Sequence, residues 1–164
     1  MNCLRGLNFG SVAEIGCGAG ANLGRINMEW PDVEIAGVDI NDEALYEARK
    51  HFNRSLFAKG KAENIPLKDK SSDLVLTDAC LIYVPLEDIK KAVNELIRVA
   101  RKYIVMCEWN GPNQYDGHWV YDYAKLYEEY YVEFIKIAGW PGGWEKWGNI
   151  VKVDLENKRK HLPV

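Results

Sequence analysis

The stretch from Val12 to Gly20, VAEIGCGAG, decides the fold. A short apolar strand runs into three glycines at alternate positions and then into a segment of helical character. Glycine is needed where a chain turns sharply and where a ligand must approach bare backbone. The spacing is GxGxG rather than the GxGxxG that cradles a dinucleotide pyrophosphate, and Glu14 suits a ligand with a positive amino group better than one with phosphates. Taken alone, the pattern leaves an ordinary tight strand-to-helix turn equally open.

The rest of the chain alternates apolar, β-branched runs with segments of helical period, which predicts a parallel sheet covered by helices. Strands are predicted at 11–15, 34–40, 56–58, 73–77 and 103–107. Helices are predicted at 21–30, at 41–52 with Asn41 as N-cap, after Pro85, and at 119–138. A final pair of strands is predicted within 140–155. We therefore expect one α/β domain covering residues 1–164.

Composition and charge narrow the functional classes. The 164 residues suffice for one domain, and 48% apolar with 27% charged residues is ordinary for a soluble globular protein. The net charge of -3 argues against a general nucleic-acid binder. The four cysteines include no CxxC pair, so no metal site or disulfide scaffold is predicted. No apolar stretch approaches the roughly 18 residues of a membrane span, and we expect a cytoplasmic protein.

A carboxylate follows the glycine loop at an informative distance. Asp39 ends the second predicted strand, about 20 residues beyond Gly20, where an acid is placed to accept both ribose hydroxyls of an adenosine. The competing interpretation is a helix-capping or solvated aspartate, which the glycine loop makes the weaker one.

Four motifs together resemble those of the class I S-adenosylmethionine-dependent methyltransferases. They are EIGCGAG at 14–20, GVDI at 37–40, AENIP at 62–66 and SDLVLTD at 72–78. The resemblance implies a Rossmann-like, seven-stranded, mostly parallel sheet with helices on both faces, and S-adenosylmethionine as cofactor. It implies that the methionine part is surrounded by Glu14, Gly16, Cys17 and Gly18, that Asp39 holds the ribose with Ile40 on the adenine, that Ala62 and Glu63 line the adenine edge, and that Asp78 and Ala79 close over the sulfonium.

One position departs from the family pattern. Many relatives carry an acid just before the Ala-Glu-Asn step, placed to accept a hydrogen bond from the adenine amino group. This chain has Lys61 there, and lysine cannot accept a hydrogen bond. Adenine recognition must then rest on backbone groups, on Glu63 or on a rearranged loop.

A narrower resemblance concerns the acceptor. The stretches LIYVP at 81–85, ELIR at 95–98 and YIVMCEWNGP at 103–112, followed by Gly117-His118, are similar to methylases associated with pseudaminic acid biosynthesis. In that family Tyr83 is often histidine, and Gly111 interrupts the Asn-Pro step of the pattern. The resemblance suggests a sugar or surface-glycan precursor as the acceptor.

Candidates for the acceptor side follow the fourth and fifth strands: Asp78, Tyr83, Glu108, Asn110, Tyr115 and His118. His118 is the natural general base near neutral pH, although an incidental surface histidine is at least as consistent with its loop position. Tyr83 is expected to shape the site, because the reference pKa of tyrosine is about 10. Late aromatic residues are expected to be mainly packing, with Trp119 and Tyr123 on one helix face as the alternative stacking surface.

The function predicted is methyl transfer to a small-molecule acceptor by in-line displacement, without a metal. The alternative is a non-catalytic domain that binds S-adenosylmethionine as a sensor or partner subunit. The first strand begins almost at once, which predicts a short or missing N-terminal lid and leaves a homodimer open.

Overall fold

The computed structural model describes residues 2–110, 118–136 and 148–159. Its centre is a seven-stranded sheet in the order β3-β2-β1-β4-β5-β7-β6. The strands are β1 (Ser11–Ile15), β2 (Glu34–Asp39), β3 (Leu56–Lys59), β4 (Ser72–Asp78), β5 (Ala100–Trp109), β6 (Tyr130–Lys136) and β7 (Gly148–Lys158). The first five strands pair in parallel, and β7 runs antiparallel to both β5 and β6. The expected seven-stranded, mostly parallel sheet is thus confirmed.

Helices cover both faces of this sheet. They are α1 (Ala21–Glu29), α2 (Asp42–His51), α3 (Ile89–Val99) and the single-turn α4 (Tyr123–Leu126). Buried side chains of α1 and α2 form one apolar cluster, and those of α3 and α4 form another with the opposite face of the sheet. The core is therefore two apolar layers with the sheet between them.

The sequence explains where these elements begin and why β4 is central. Asn41 caps α2, because its side-chain oxygen accepts the N–H groups of Glu43 at 2.9 Å and Ala44 at 3.3 Å. β4 is buried along nearly its whole length, which fits the continuous apolar run expected of an interior parallel strand. The strand thus ends at Asp78 in the middle of the carboxyl edge of the sheet.

The helix predicted at 119–138 is wrong. Trp119 lies outside any helix, α4 is one turn capped by Asp122, and the chain then enters β6. The stretch YYVEFIK is aromatic and β-branched, so pairing with β7 prevails over its helical spacing. Tyr123 is fully buried, so the stacking surface on a shared helix face is also wrong.

The final pair of strands is therefore shifted along the chain. β7 matches the second half of the predicted 140–155 pair, and its partner is β6 rather than a strand after residue 140. Residues 140–147 and Tyr115 lie outside the described residues. None of the described helices has the length and apolarity to cross a bilayer.

Candidate functional site

The glycine loop connects β1 to α1 through three left-handed residues. Gly16, Gly18 and Gly20 have φ angles of 79°, 52° and 85°, a region that L side chains rarely adopt. A Cβ at Gly16 would lie 2.8 Å from the Cβ and Sγ atoms of Cys80, whereas a Cβ at Gly18 would meet nothing within 4 Å. Gly16 thus permits close packing of the two loops, and Gly18 leaves bare backbone beside open space.

Asp39 ends β2 beside this loop and is held by two backbone groups. Its Oδ2 accepts the N–H of Gly18 at 2.7 Å, and its Oδ1 accepts the N–H of Asn41 at 2.8 Å. Each carboxylate oxygen has two lone pairs, so each can accept a further hydrogen bond from a ligand. The carboxylate is therefore fixed in orientation and still able to bind two hydroxyl groups.

A cavity of about 440 Å³ opens at the carboxyl edge of the sheet. Its wall comes from the loops after β1, β2, β3 and β4, at the point where a parallel α/β sheet characteristically binds ligands. The lining residues are Ile15, Gly16, Asp39, Ile40, Gly60, Lys61, Ala62, Glu63, Ala79, Cys80, Tyr83, Val84, Pro85 and Asp88. Ala79 adopts a left-handed φ of 50°, an uncommon conformation for a non-glycine residue at the turn after β4.

Two acids behind the glycine loop are joined by one amide. The Nδ2 of Asn22 donates to the Oε1 of Glu14 at 2.8 Å and to the Oδ2 of Asp78 at 3.0 Å. Glu14 is 1% exposed, and burial raises its pKa to about 8, with a smaller opposing effect from the Asn22 hydrogen bond. Its Oε2 has no hydrogen-bond partner among the described residues. A buried acid with a free oxygen favours a cationic ligand group nearby.

A third buried acid holds the loop after β4. Glu108, at the end of β5, is fully buried, and its Oε1 accepts the N–H groups of Cys80 and Leu81, each at 3.0 Å. Burial raises the pKa of Glu108 to about 7, while these two backbone bonds act in the opposite direction. Glu108 therefore fixes the wall of the cavity from the neighbouring strand rather than lining it.

Three aromatic rings pack in a row at one side of the cavity, and of these only Tyr83 lines it. Tyr83, which is 67% exposed, meets the ring of His118 edge-on at a centroid distance of 4.9 Å. His118 also meets Trp109 edge-on at 5.4 Å, and its Nδ1 is enclosed with no hydrogen-bond partner in the described part of the chain. The N–H of Trp119 donates to the carbonyl of Ile82 at 2.9 Å. We name Tyr83, Trp109 and His118 the aromatic wall.

The residues predicted from sequence differ in where they lie relative to the cavity. Those that line the cavity are Gly16, Asp39, Ile40, Ala62, Glu63, Ala79 and Tyr83. Glu14 and Asp78 lie behind the glycine loop, joined by Asn22, and Gly18 donates to Asp39 with open space beside its backbone. The Cys17 side chain is in the core beside Gly37. Asn110 accepts the N–H of Tyr123 at 3.3 Å and does not line the cavity.

Sequence reasoning missed Asn22 and Cys80. Asn22 lies two residues after the last glycine, in the first turn of α1. The only signal in the sequence was this position, from which a side chain can face the ends of β1 and β4. Cys80 was not among the predicted site residues, yet it packs on Gly16 and lines the cavity. Burial raises the pKa of the Cys80 thiol, which keeps it protonated and unreactive near neutral pH.

Comparisons with known proteins agree with this architecture. The chain is 30% identical to trans-aconitate 2-methyltransferase of Escherichia coli over 78 residues. The matched region covers 48% of this chain and 31% of that enzyme. Over 139 residues the chain is 28% identical to an uncharacterized methyltransferase-like protein of Schizosaccharomyces pombe, 85% of this chain and 51% of that protein. The chain thus spans about a third of the first relative's length and about half of the second's.

Solved structures share the fold. A SAM-dependent methyltransferase from Aquifex aeolicus superposes with a TM-score of 0.66 at 20% identity, over 88% of this chain and 81% of that one. The profile of the methyltransferase domain matches residues 12–103, which include the glycine loop, Asp39 and the whole of β4. The prediction of a class I fold is confirmed, and the chain belongs to the methyltransferase domain family.

Proposed function

We propose that this protein binds S-adenosylmethionine in the cavity and transfers its methyl group to a small-molecule acceptor. The observation that carries the proposal is Asp39, whose carboxylate is fixed by two N–H groups at the cavity with further acceptor capacity. The open space beside Gly18 and the free Oε2 of Glu14 support it as well. When bound, the cofactor supplies a methyl group already activated on a sulfonium.

Different residues of the chain would bind different parts of the cofactor. Asp39 would hold the ribose hydroxyls, Ile40 would cover the adenine, and Ala62 and Glu63 would line the adenine edge. Asp78 would supply negative charge near the amino and sulfonium groups, and a cationic group beside Glu14, which is joined to Asp78 through Asn22, would favour the ionised form of that buried acid. The alternating positive φ angles of the loop let its backbone approach the methionine part without a Cβ in the way.

The acceptor side would be formed by the aromatic wall. Tyr83 lines the cavity and contacts His118, so two of the six predicted acceptor-side residues are in contact. Placing an acceptor atom in line with the methyl group supplies much of the rate enhancement by itself, on the order of 7–11 kcal/mol for a well-oriented pair. A proton must be removed only from a hydroxyl or protonated amine, and His118 is the proposed base for that case.

A small-molecule acceptor is supported by the relative named for trans-aconitate. The narrower resemblance to pseudaminic-acid-associated methylases keeps a sugar precursor among the acceptors worth assaying. Among the described residues, no arginine lines the cavity, so the wall offers no guanidinium group to pair with a carboxylate of an acceptor.

Calorimetric titration with S-adenosylmethionine and S-adenosylhomocysteine, with NAD as control, tests the proposal. We expect saturable one-site binding of the first two and none of NAD. Asp39→Ala should weaken binding at least about 100-fold, because two charge-assisted bonds of roughly 1.5–3 kcal/mol each are lost. The matched control is Asp42→Asn, which alters an exposed acid of α2 and should bind as the wild type does.

The outcomes separate the two functional hypotheses. Binding followed by formation of S-adenosylhomocysteine with any acceptor of a small-molecule panel supports the enzyme. Binding without turnover across carboxylates, amines, phenols and sugars supports the non-catalytic alternative. No binding to the wild type contradicts both.

A further inference from the structure

One acid in the cavity wall, Asp88, makes no polar side-chain contact with a described residue that would stabilise the fold. Asp88 precedes α3 at its N-cap position, yet its side chain makes no capping bond, and no hydrogen bond or ion pair to it exists among the described residues. The helix start is held without it, because the N–H of Asp88 donates to the carbonyl of Pro85 at 3.0 Å and its carbonyl accepts from Ala92 at 3.0 Å. Its carboxylate lines the cavity all the same.

Lys61, which also lines the cavity, occupies the position where the methyltransferase motif pattern has an acid. Lys61 cannot accept a hydrogen bond. Its Nζ lies 3.6 Å from the Oε1 of Glu63, so that acid has a cationic neighbour. Asp88 shares the wall with Lys61 and Glu63, and it is the acid of this group that has no partner in the described chain.

We propose that Asp88 accepts the hydrogen bond of the adenine amino group and so replaces, from the start of α3, the acid that Lys61 displaces. This assignment rests on the proposed function, since it requires the adenosine to lie between Ile40 and the loop before α3. A carboxylate is an acceptor only, so it selects a base with an exocyclic amino group over one without it.

The test compares two ligands on matched variants by calorimetry. The ligands are S-adenosylhomocysteine and its 6-deamino purine analogue, which lacks the amino group and gains no new donor. The wild type should prefer the first by roughly 10- to 100-fold, the effect of one hydrogen bond to a charged group. Asp88→Ala should bring the two affinities within about threefold, with the whole loss on the amino-bearing ligand. Glu87→Ala, which removes the exposed neighbouring acid, should keep the wild-type preference.

Other results would overturn the assignment in distinguishable ways. If Asp88→Ala keeps the preference while Glu63→Gln loses it, Glu63 is the recognising acid. Equal wild-type affinity for both ligands would mean that no side chain reads the amino group. Failure of the wild type to bind S-adenosylhomocysteine at all would instead remove the proposed function and this inference together. Melting curves of each variant distinguish a lost contact from a lost fold.

Discussion

The glycine-loop side and the aromatic-wall side of the cavity are built by different means. The loop side is specified by backbone conformation over a short stretch, since Gly16, Gly18 and Asp39 lie within two consecutive strand-loop units. The wall side depends on contacts between distant segments, such as Glu108 to Cys80 and the Tyr83–His118 ring pair. A site can therefore have a locally encoded cofactor half and an acceptor half that exists only after the chain has folded.

The largest effect should come from removing the buried acid that holds the wall. Glu108→Ala leaves the N–H groups of Cys80 and Leu81 unpaired in the interior, and roughly 1–3 kcal/mol per group gives a loss of roughly 2–6 kcal/mol in the free energy of unfolding. Urea unfolding measures it. Glu108→Gln keeps the accepting oxygen and is the matched control, so a loss as large as that of the alanine variant would show that the backbone bonds are unimportant.

Alanine substitutions at Gly16 and Gly18 should distinguish an effect on folding from an effect on ligand binding. Gly16→Ala combines a left-handed φ with a Cβ 2.8 Å from Cys80, so it should cost roughly 2–5 kcal/mol of unfolding free energy. Gly18→Ala adds only the conformational cost, roughly 1–2 kcal/mol, because its Cβ meets no protein atom within 4 Å. It should nevertheless weaken S-adenosylhomocysteine binding, since that Cβ enters the space assigned to the ligand.

Thermal denaturation with calorimetry distinguishes these effects. A Gly18→Ala protein with wild-type affinity would show that the ligand does not approach this part of the loop. Equal destabilisation by the two substitutions would show that contact with Cys80 adds nothing to the conformational cost.

The same contrast explains how much the sequence could predict. Strands β1 to β4 and helices α1 and α2 were predicted within one residue of their observed bounds, because caps, glycines and apolar runs act locally. The prediction of β5 covered only its middle, and α3 was predicted without bounds. Asp39 followed from its spacing to the glycine loop and the other loop-side residues from the resemblance to the methyltransferase motifs, and most of them line the cavity. Pairing of β6 with β7 is a long-range choice that overrides the helical spacing of the tyrosines, so the segment 119–138 could not be read from its own pattern.

The contacts that the buried acids make were also beyond sequence reasoning. Nothing in the local pattern of Glu108 indicates that its carboxylate turns back to the loop after β4. Nor does the sequence indicate that Asn22 joins Glu14 to Asp78, because the three residues come from α1, β1 and β4. Each bond depends on the order of strands in the finished sheet.

The pH dependence of stability should identify the acid behind the glycine loop. The pKa of Glu14 is about 8 in the folded protein against 4.5 as the reference, so the folded state holds the proton more tightly. The free energy of unfolding should therefore fall as pH rises from about 4.5 to 8, by up to about 1.4 kcal/mol per pH unit for this group. Glu14→Gln should lose that part of the slope.

Glu108 contributes in the same direction up to its pKa of about 7, so the range between pH 7 and 8 distinguishes Glu14 best. The exposed Glu34→Gln variant is the control and should follow the wild type. A Glu14→Gln protein whose stability changes with pH as steeply as the wild type would mean that Glu14 is ionised throughout.

The smallest effect should come from the aromatic wall itself. An edge-on ring pair contributes roughly 0.5–1.5 kcal/mol beyond burial, and Tyr83 is 67% exposed, so coupling to His118 should lie at the low end. A double-mutant cycle of Tyr83→Ala and His118→Ala in urea unfolding measures it. His118→Ala should leave S-adenosylhomocysteine affinity unchanged, because His118 does not line the cavity. A coupling of zero would mean that the wall is held by Glu108 and the backbone alone, whereas weakened cofactor binding in His118→Ala would show that the two sides of the cavity are not independent.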